Sequence, residues 1–440
     1  MMIAPASFLR RRRAAALAAM LAGAGLIAAC DEKLDGGANC AGAALLCPGQ
    51  SVEIRDTIID PTLEFDSTYV GFPSRGAEIA IPLIAHGNDL ETIGVVRFDT
   101  LITLFVPPMD SVQAIKYIDS TFVKLRVDLT LVELADSVRF EMYDVGYAND
   151  DDTSSAPVLA RFVPKYKIGG KTFARAEISD SVLVPLSDSA MLARLVDSTF
   201  GWPRLRLGIK VGGTGPVAIR IGTVEGGVPA ELRYRPKNDT AVHQLVVLPA
   251  SGGPASRPDV RRDLLDYGLV LKSTLPTPAG TMTLGGVPGR RVYMRFNLPR
   301  RITDSTTILR ATLRLNQVPY AVGASKDTVI VYPRIVLAGP SVTDYRRASS
   351  LIGLQSLVLT DSLILNPKGS GLQELEMYPL VRAWGQQGTG ATIPPRAVVL
   401  SAANEGSQAN VVSFSSTTAA AGLRPRMRIT YIPKVNFGVP

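Results

Sequence analysis

The chain is poor in the residues from which most catalytic and metal centres are built. Of 440 residues, only two are histidine (His86, His243) and three are cysteine (Cys30, Cys40, Cys47). That excludes a His-rich metal centre or a four-cysteine zinc site within one chain. Aromatics make up 6 % and tryptophan occurs twice, so platforms for stacking sugars are scarce. Charged residues reach only 20 %, and 39 glycines with 31 prolines punctuate the sequence, which argues against coiled coils and long helical bundles. What is abundant is apolar material, 46 % of residues; at about 150 residues per domain this supplies cores for two or three domains.

The formal charge of +8 is inflated by Arg10 to Arg13; without the first 29 residues, 43 basic and 39 acidic residues leave +4. No block of Lys or Arg interleaved with aromatics accompanies it, so nucleic acid is not expected as a partner. Those four arginines precede Ala14 to Ala29, an uncharged run of sixteen small and apolar residues, short for a spanning helix of about 20. This is the pattern of a secretory signal. At its end Ile27-Ala28-Ala29-Cys30 resembles the lipobox of bacterial lipoproteins: an aliphatic residue, two small residues, and the cysteine that takes the lipid. The resemblance implies that residues 1–29 are a lipoprotein signal peptide and that Cys30 is acylated, with several acyl chains making a permanent anchor. An ordinary signal peptide and a retained anchor are the alternatives. The expected location is the bacterial cell envelope, membrane-anchored and facing the periplasm or the cell surface; Asp31 leaves membrane and leaflet open.

With Cys30 lipidated, Cys40 and Cys47 form an even pair, for which a disulfide worth about 2 kcal/mol is expected in an oxidising compartment. A redox pair, the alternative, usually has two residues between its cysteines rather than the six found here. Residues 30–64 then read as a lipid-anchored tether.

From about Ala77 onward the sequence becomes a series of short alternating or apolar runs, such as Ile93-Gly-Val-Val-Arg-Phe98 and Leu205-Arg-Leu-Gly-Ile-Lys-Val211, separated by Gly, Pro, Asp and Ser. Their period of two predicts strands and an all-β fold. The order of motifs repeats. Val95-Val-Arg-Phe-Asp99 matches Tyr293-Met-Arg-Phe-Asn297, Val123 to Asp128 matches Ala311 to Asn316, and Glu231 to Lys237 matches Arg426 to Lys434. Trp202 and Trp384 follow comparable strand-then-helix stretches and are expected in corresponding places. Two diverged copies result, residues 65–237 and 260–440, with a linker over 238–259.

The second copy also resembles a family. Arg295-Phe-Asn-Leu-Pro299, Ile308 to Asn316, Val381-Arg-Ala-Trp384, Phe414-Ser-Ser416 and Arg424 to Tyr431 are similar to the DNRLRE-type β-sandwich domains of secreted bacterial proteins, which are related to some carbohydrate-binding modules. The first copy lacks the Phe-Ser-Ser and Arg-Pro-Arg elements. The resemblance implies an antiparallel jelly-roll-like β-sandwich for the second copy, and the internal repeat alone extends it to the first, giving two in tandem.

Arg97 and Arg295 should face away from the core that takes their apolar neighbours, lying outward or over a sheet edge, in a structural pairing or reading a ligand. Asn149-Asp150-Asp151-Asp152 gathers oxygen ligands for Ca2+ but lacks the alternation of a known calcium loop, so a solvated hairpin tip is favoured and no cofactor is otherwise expected. Gly212-Gly-Thr-Gly215 lacks the Lys of a phosphate loop and reads as a hairpin turn. With no nucleophile motif near either histidine, an enzyme is not expected, although distant carboxylate pairs for glycoside hydrolysis stay open. The favoured function is a non-catalytic, lipid-anchored envelope protein that binds polysaccharide or another envelope component. The alternatives are a structural lipoprotein with a protein partner and a carbohydrate-active enzyme. Oligomeric state is open.

Overall fold

The computed structural model describes residues 62–87, 89–106, 111–146, 155–197, 202–237, 244–251, 264–273, 277–320, 328–336, 361–386 and 396–433. Cys30, Cys40, Cys47, Asp150, Asp151, Asp152 and His243 lie outside them. The protein is all-β, built from antiparallel sheets that curl into sandwich-like layers.

In the first assembly one layer runs β14 (Asp266–Ser273), β3 (Leu90–Phe98), β10 (Leu205–Gly213), β7 (Ser137–Asp144) and β8 (Lys167–Ala174). The other runs β2 (Ala80–His86), β11 (Val217–Gly222) and β6 (Ile118–Glu133), which carries both β9 (Ser181–Pro185) and β12 (Glu231–Pro236); β13 (Leu245–Val247) continues beyond β12. The layers join through backbone pairing at the end of the β2–β3 hairpin, Ala85 with Glu91 and His86 with Leu90, and at a bridge from Gly169 of β8 to Leu186 just past β9. Beyond these joins the layers face each other: a Cβ on Gly94 of β3 would meet the side chains of Ile81 and Leu83 from β2 and Ile221 from β11. The core between them includes Val96, Phe98, Val123, Leu125, Phe140, Leu207, Ile209 and Leu232.

The second assembly repeats this plan apart from β13, which has no counterpart among the described residues. One layer holds β1 (Thr62–Phe72), β16 (Gly289–Asn297), β21 (Ala397–Ala402), β18 (Val329–Val336) and β19 (Leu363–Leu365). The other holds β15 (Thr281–Gly285), β22 (Val411–Ser415) and β17 (Thr306–Val318), with β20 (Gly371–Glu376) and β23 (Arg426–Pro433) on β17. Register supports the sequence repeat: Leu232 and Tyr234 pair with Val123 and Thr121 on β6, as Ile429 and Tyr431 pair with Ala311 and Ile308 on β17.

Two strands cross over. β1 stands at the start of the first repeat in sequence but pairs with β16 of the second, and β14 stands at the start of the second repeat but pairs with β3 of the first. The expected boundaries at 65–237 and 260–440 therefore do not follow the sheets, because each assembly takes its edge strand from the other half of the sequence. Side chains fix the exchange. On β1, Tyr69 packs edge-on against Tyr293 at 5.0 Å between ring centroids, and Asp66 accepts hydrogen bonds from Thr417 N at 2.5 Å and Oγ1 at 3.1 Å. On β14, Tyr267 and Leu269 join Ile93, Val95 and Tyr143 in a buried cluster on the outer face of β3.

That cluster corrects one expectation. Arg97 is on the outer face of β3, as alternation requires, but it is fully buried rather than outward or at an edge. The segments around Ala250 and Leu264 cover it: Arg97 N donates to Leu265 O at 2.8 Å, and Arg97 O accepts from Ala250 N at 3.0 Å. β3 is thus covered on both faces, which is why its sequence reads as a nearly continuous apolar run.

The tryptophans are a second correction. Trp384 lies in helix α2 (Tyr378–Gln386), buried with its ring 6.4 Å from that of Phe296. The equivalent helix, α1 (Asp188–Val196), turns Met191 and Leu195 inward, whereas Trp202 is half-buried in the loop beyond it. Smaller residues fill the helix–sheet gap in the first assembly, so the two tryptophans are not equivalent. A third difference concerns Gly212-Gly-Thr-Gly215, which links β10 to β11 in opposite layers instead of closing a hairpin.

Candidate binding groove

A groove of about 590 Å³ opens on the β2, β6 and β11 side of the first assembly, and Asn404, from the β21–β22 connection, also lines it. Strand alternation puts Arg126 and Asp128 two residues apart on β6 and so on one face. Arg126 Nη1 lies 3.4 Å from Asp180 Oδ2, and Arg220 on β11 pairs with Asp128. The two pairs differ in setting. Arg126 and Asp180 are 41 % and 78 % exposed at the side chain, and such a pair contributes at most about 1 kcal/mol to stability, leaving it free to exchange partners with a ligand. Arg220 is buried beneath the groove and is structural in weight.

The floor is backbone. A Cβ on Gly222 would overlap the Val228 carbonyl, and one on Gly226 would overlap the Ile79 carbonyl. Gly226→Ala is expected to destabilise the fold by about 1–3 kcal/mol, read as a lower thermal midpoint, because the obstructing atom is main chain and cannot rotate away.

Behind the floor sit two buried carboxylates from distant sequence. Glu78 accepts from Gly76 N at 2.6 Å and Gly268 N at 3.4 Å, while Asp266 at the start of β14 accepts from Val224 N at 2.9 Å. Burial pushes both up to about 7, with the charges of Glu225 and Glu78 adding to the effect at Asp266. Such values suit a general acid. Neither residue lines the groove, however, and one oxygen of each, Glu78 Oε1 and Asp266 Oδ2, accepts from a backbone amide that ties β14 to the first assembly. Their chemistry here is a clamp on the exchanged strand.

The residues singled out in sequence are dispersed. Arg97 Nη2 pairs with Asp99 at 2.7 Å and its Nη1 donates to Leu264 O at 3.2 Å; both side chains are essentially inaccessible. Arg295 is half-buried on β16. His86 Nε2 stands 3.1 Å from Glu133 Oε2 at the end of β2. Among the described residues no group of three His, Cys, Asp or Glu is arranged to hold a metal ion. Sequence reasoning missed the groove and the acid pair. The Arg126-Val-Asp128 alternation was a visible signal for the first, but nothing local announces that Glu78 meets Asp266.

No family model and no curated protein matches the chain. Among solved structures, it is similar at the lowest level to the Macrobrachium rosenbergii nodavirus, with 9 % identity, a TM-score of 0.13, and coverage of 88 % of this chain and 96 % of that one. Infectious bursal disease virus, Gx strain, gives 10 % identity, a TM-score of 0.12, and coverage of 89 % and 82 %. Similarity this slight carries no inference about fold or function.

Proposed function

We propose that the chain is a non-catalytic, lipid-anchored protein of the bacterial cell envelope that holds a polysaccharide or another envelope component in the groove beside Arg126. In this reading residues 1–29 are removed, Cys30 is acylated, the stretch from Cys30 to the start of β1 is a tether that contains a Cys40–Cys47 disulfide, and the interlocked assemblies are jelly-roll-like, the second of DNRLRE type. The groove supports binding because the Arg126–Asp180 pair alternates donor and acceptor, the pattern that hydroxyl-rich chains satisfy. Among the described residues Tyr117 is the one large aromatic that stands exposed, so recognition rests on hydrogen bonding rather than stacking.

A second reading, a structural lipoprotein that spaces or docks a protein partner, draws on the exchanged strands, since interlocking sets fixed geometry that independent binding modules do not need. Envelope pull-down together with a glycan array separates the two. Glycan retention that falls about tenfold in Arg126→Ala supports the binding reading; capture of protein alone, unchanged by that substitution, overturns it. For the anchor, Cys30→Ser is expected to shift the protein from the membrane to the soluble fraction. Fatty-acid labelling that persists in Cys30→Ser would reject the lipidation.

A further inference from the structure

The two-stranded hairpin of β4 (Leu104–Phe105) and β5 (Gln113–Ala114) has unlike faces. Leu104 pairs with Ala114 and Phe105 with Gln113. Phe105, with Ile115 just past the ladder, is buried in the first core. On the opposite side Leu104 is 53 % exposed, and Val106 and Val112, where the strands part, are 64 % and 60 % exposed; Ala114 is exposed as well. Tyr117, 59 % exposed, follows at the base. The outward side of the hairpin is therefore apolar, a concentration that marks an interaction site.

The hairpin is also held in place. Ile115 N donates to Thr103 O at 2.9 Å, Tyr234 Oη on β12 donates to Ile102 O at 2.6 Å, and Lys237 N donates to Tyr117 O at 3.0 Å. These bonds bring two exposed lysines, Lys116 and Lys237, to the base of the apolar face. The neighbouring Asp119 and Arg235 lie 3.5 Å apart and offset each other, so the rim keeps a positive balance.

We propose that this hairpin is a membrane contact, seating Leu104, Val106 and Val112 at the acyl boundary of a bilayer while Lys116 and Lys237 meet anionic headgroups. An apolar face with an aromatic residue and lysines at its base is the arrangement expected at a lipid interface, with the long lysine stems reaching to the phosphates. A single weak contact of this kind is marginal alone. It goes beyond the acyl anchor proposed above, because it orients the first assembly on the bilayer instead of merely retaining it.

The test uses residues 30–440 carrying Cys30→Ser, which cannot be acylated, so its outcome is independent of lipidation. Co-sedimentation with phosphatidylglycerol–phosphatidylethanolamine vesicles is expected, weaker with pure phosphatidylcholine. Leu104→Ser/Val106→Ser/Val112→Ser should reduce the bound fraction about tenfold, with an unchanged thermal midpoint because all three side chains are exposed. Lys116→Gln/Lys237→Gln, which leaves the apolar face intact, should remove the preference for anionic vesicles. The proposal is overturned if the unaltered chain stays in the supernatant with anionic vesicles, if the triple variant binds as well as it does, or if the triple variant abolishes self-association while vesicle binding is unaffected.

Discussion

Cleaved within residues 252–263, the protein should remain one particle, its two fragments separating only in denaturant. Each fragment lacks a strand that the other supplies: the amino-terminal piece needs β14 against β3, and the carboxy-terminal piece needs β1 against β16. Expressed alone, each piece should fail to show a cooperative thermal transition, because an open sheet edge and an uncovered apolar face replace the missing strand. The loss is large. Without β14, Ile93, Val95 and Tyr143 lose the cover of Tyr267 and Leu269, side chains worth about 1.5–3 kcal/mol each when buried, and Arg97 loses its Leu264 and Leu265 partners. Arg97 keeps its pair with Asp99, but losing the buried Leu264 acceptor of its Nη1 costs about 1–3 kcal/mol more. Gel filtration of the nicked protein reads the outcome, and fragments that part and stay folded would refute the interlock. Grafting residues 264–273 onto the isolated amino-terminal piece should restore its transition, which separates loss of the strand from general damage.

What could be read from sequence was whatever repeats over short range. Strand periodicity gave the fold class, and Arg-Phe-Asp/Asn with Leu-Arg-Leu/Val marked equivalent strands, because β3 with β16 and β6 with β17 keep the same inward positions. The exchange was not legible. β1 and β14 each stand at the start of their own repeat, and no local pattern tells an edge strand which of two similar edges to join; side chains such as Asp66 and Thr417, 351 positions apart, decide it. Arg97 was misplaced for a related reason. Alternation shows which side a residue faces but not whether another layer lies there, and the covering chain comes from 167 residues away at Leu264. The groove's Arg126 and Asp128 were half visible as a strand alternation, but their partners arrive from elsewhere, Asp180 just ahead of β9 and Arg220 on β11.

Stability should fall as pH rises from about 4 to about 7 by an amount that Asp266→Asn and Glu78→Gln largely abolish. Burial is the main cause for both carboxylates, raising Glu78 from 4.5 and Asp266 from 3.8 to about 7, with Glu225 and Glu78 pressing Asp266 further in the same direction. The unfolded chain releases these protons near its ordinary values, so between them the folded state holds more protons than the unfolded one. The stabilisation is therefore complete below about 4 and lost as pH climbs through about 7, with a slope of up to about 1.4 kcal/mol per pH unit for each group. Across the window the pair is worth on the order of several kcal/mol. Glu141 and Glu231, lowered despite the opposing effect of burial by partners such as Lys167 and Arg233, work in the opposite sense, contributing stability that disappears as pH falls. Comparison with the variants cancels that background. Asn and Gln keep an acceptor for Val224 N and Gly268 N without a titrating charge, so the variants should be more stable than the parent at pH 8 and lose that advantage towards pH 5. Because the clamp ties β14 to the first assembly, hydrogen exchange at Gly268 and Leu269 should quicken with pH in the parent beyond the chemical rate. Parallel pH profiles of thermal midpoint for parent and variants would show that the two carboxylates do not carry the titration.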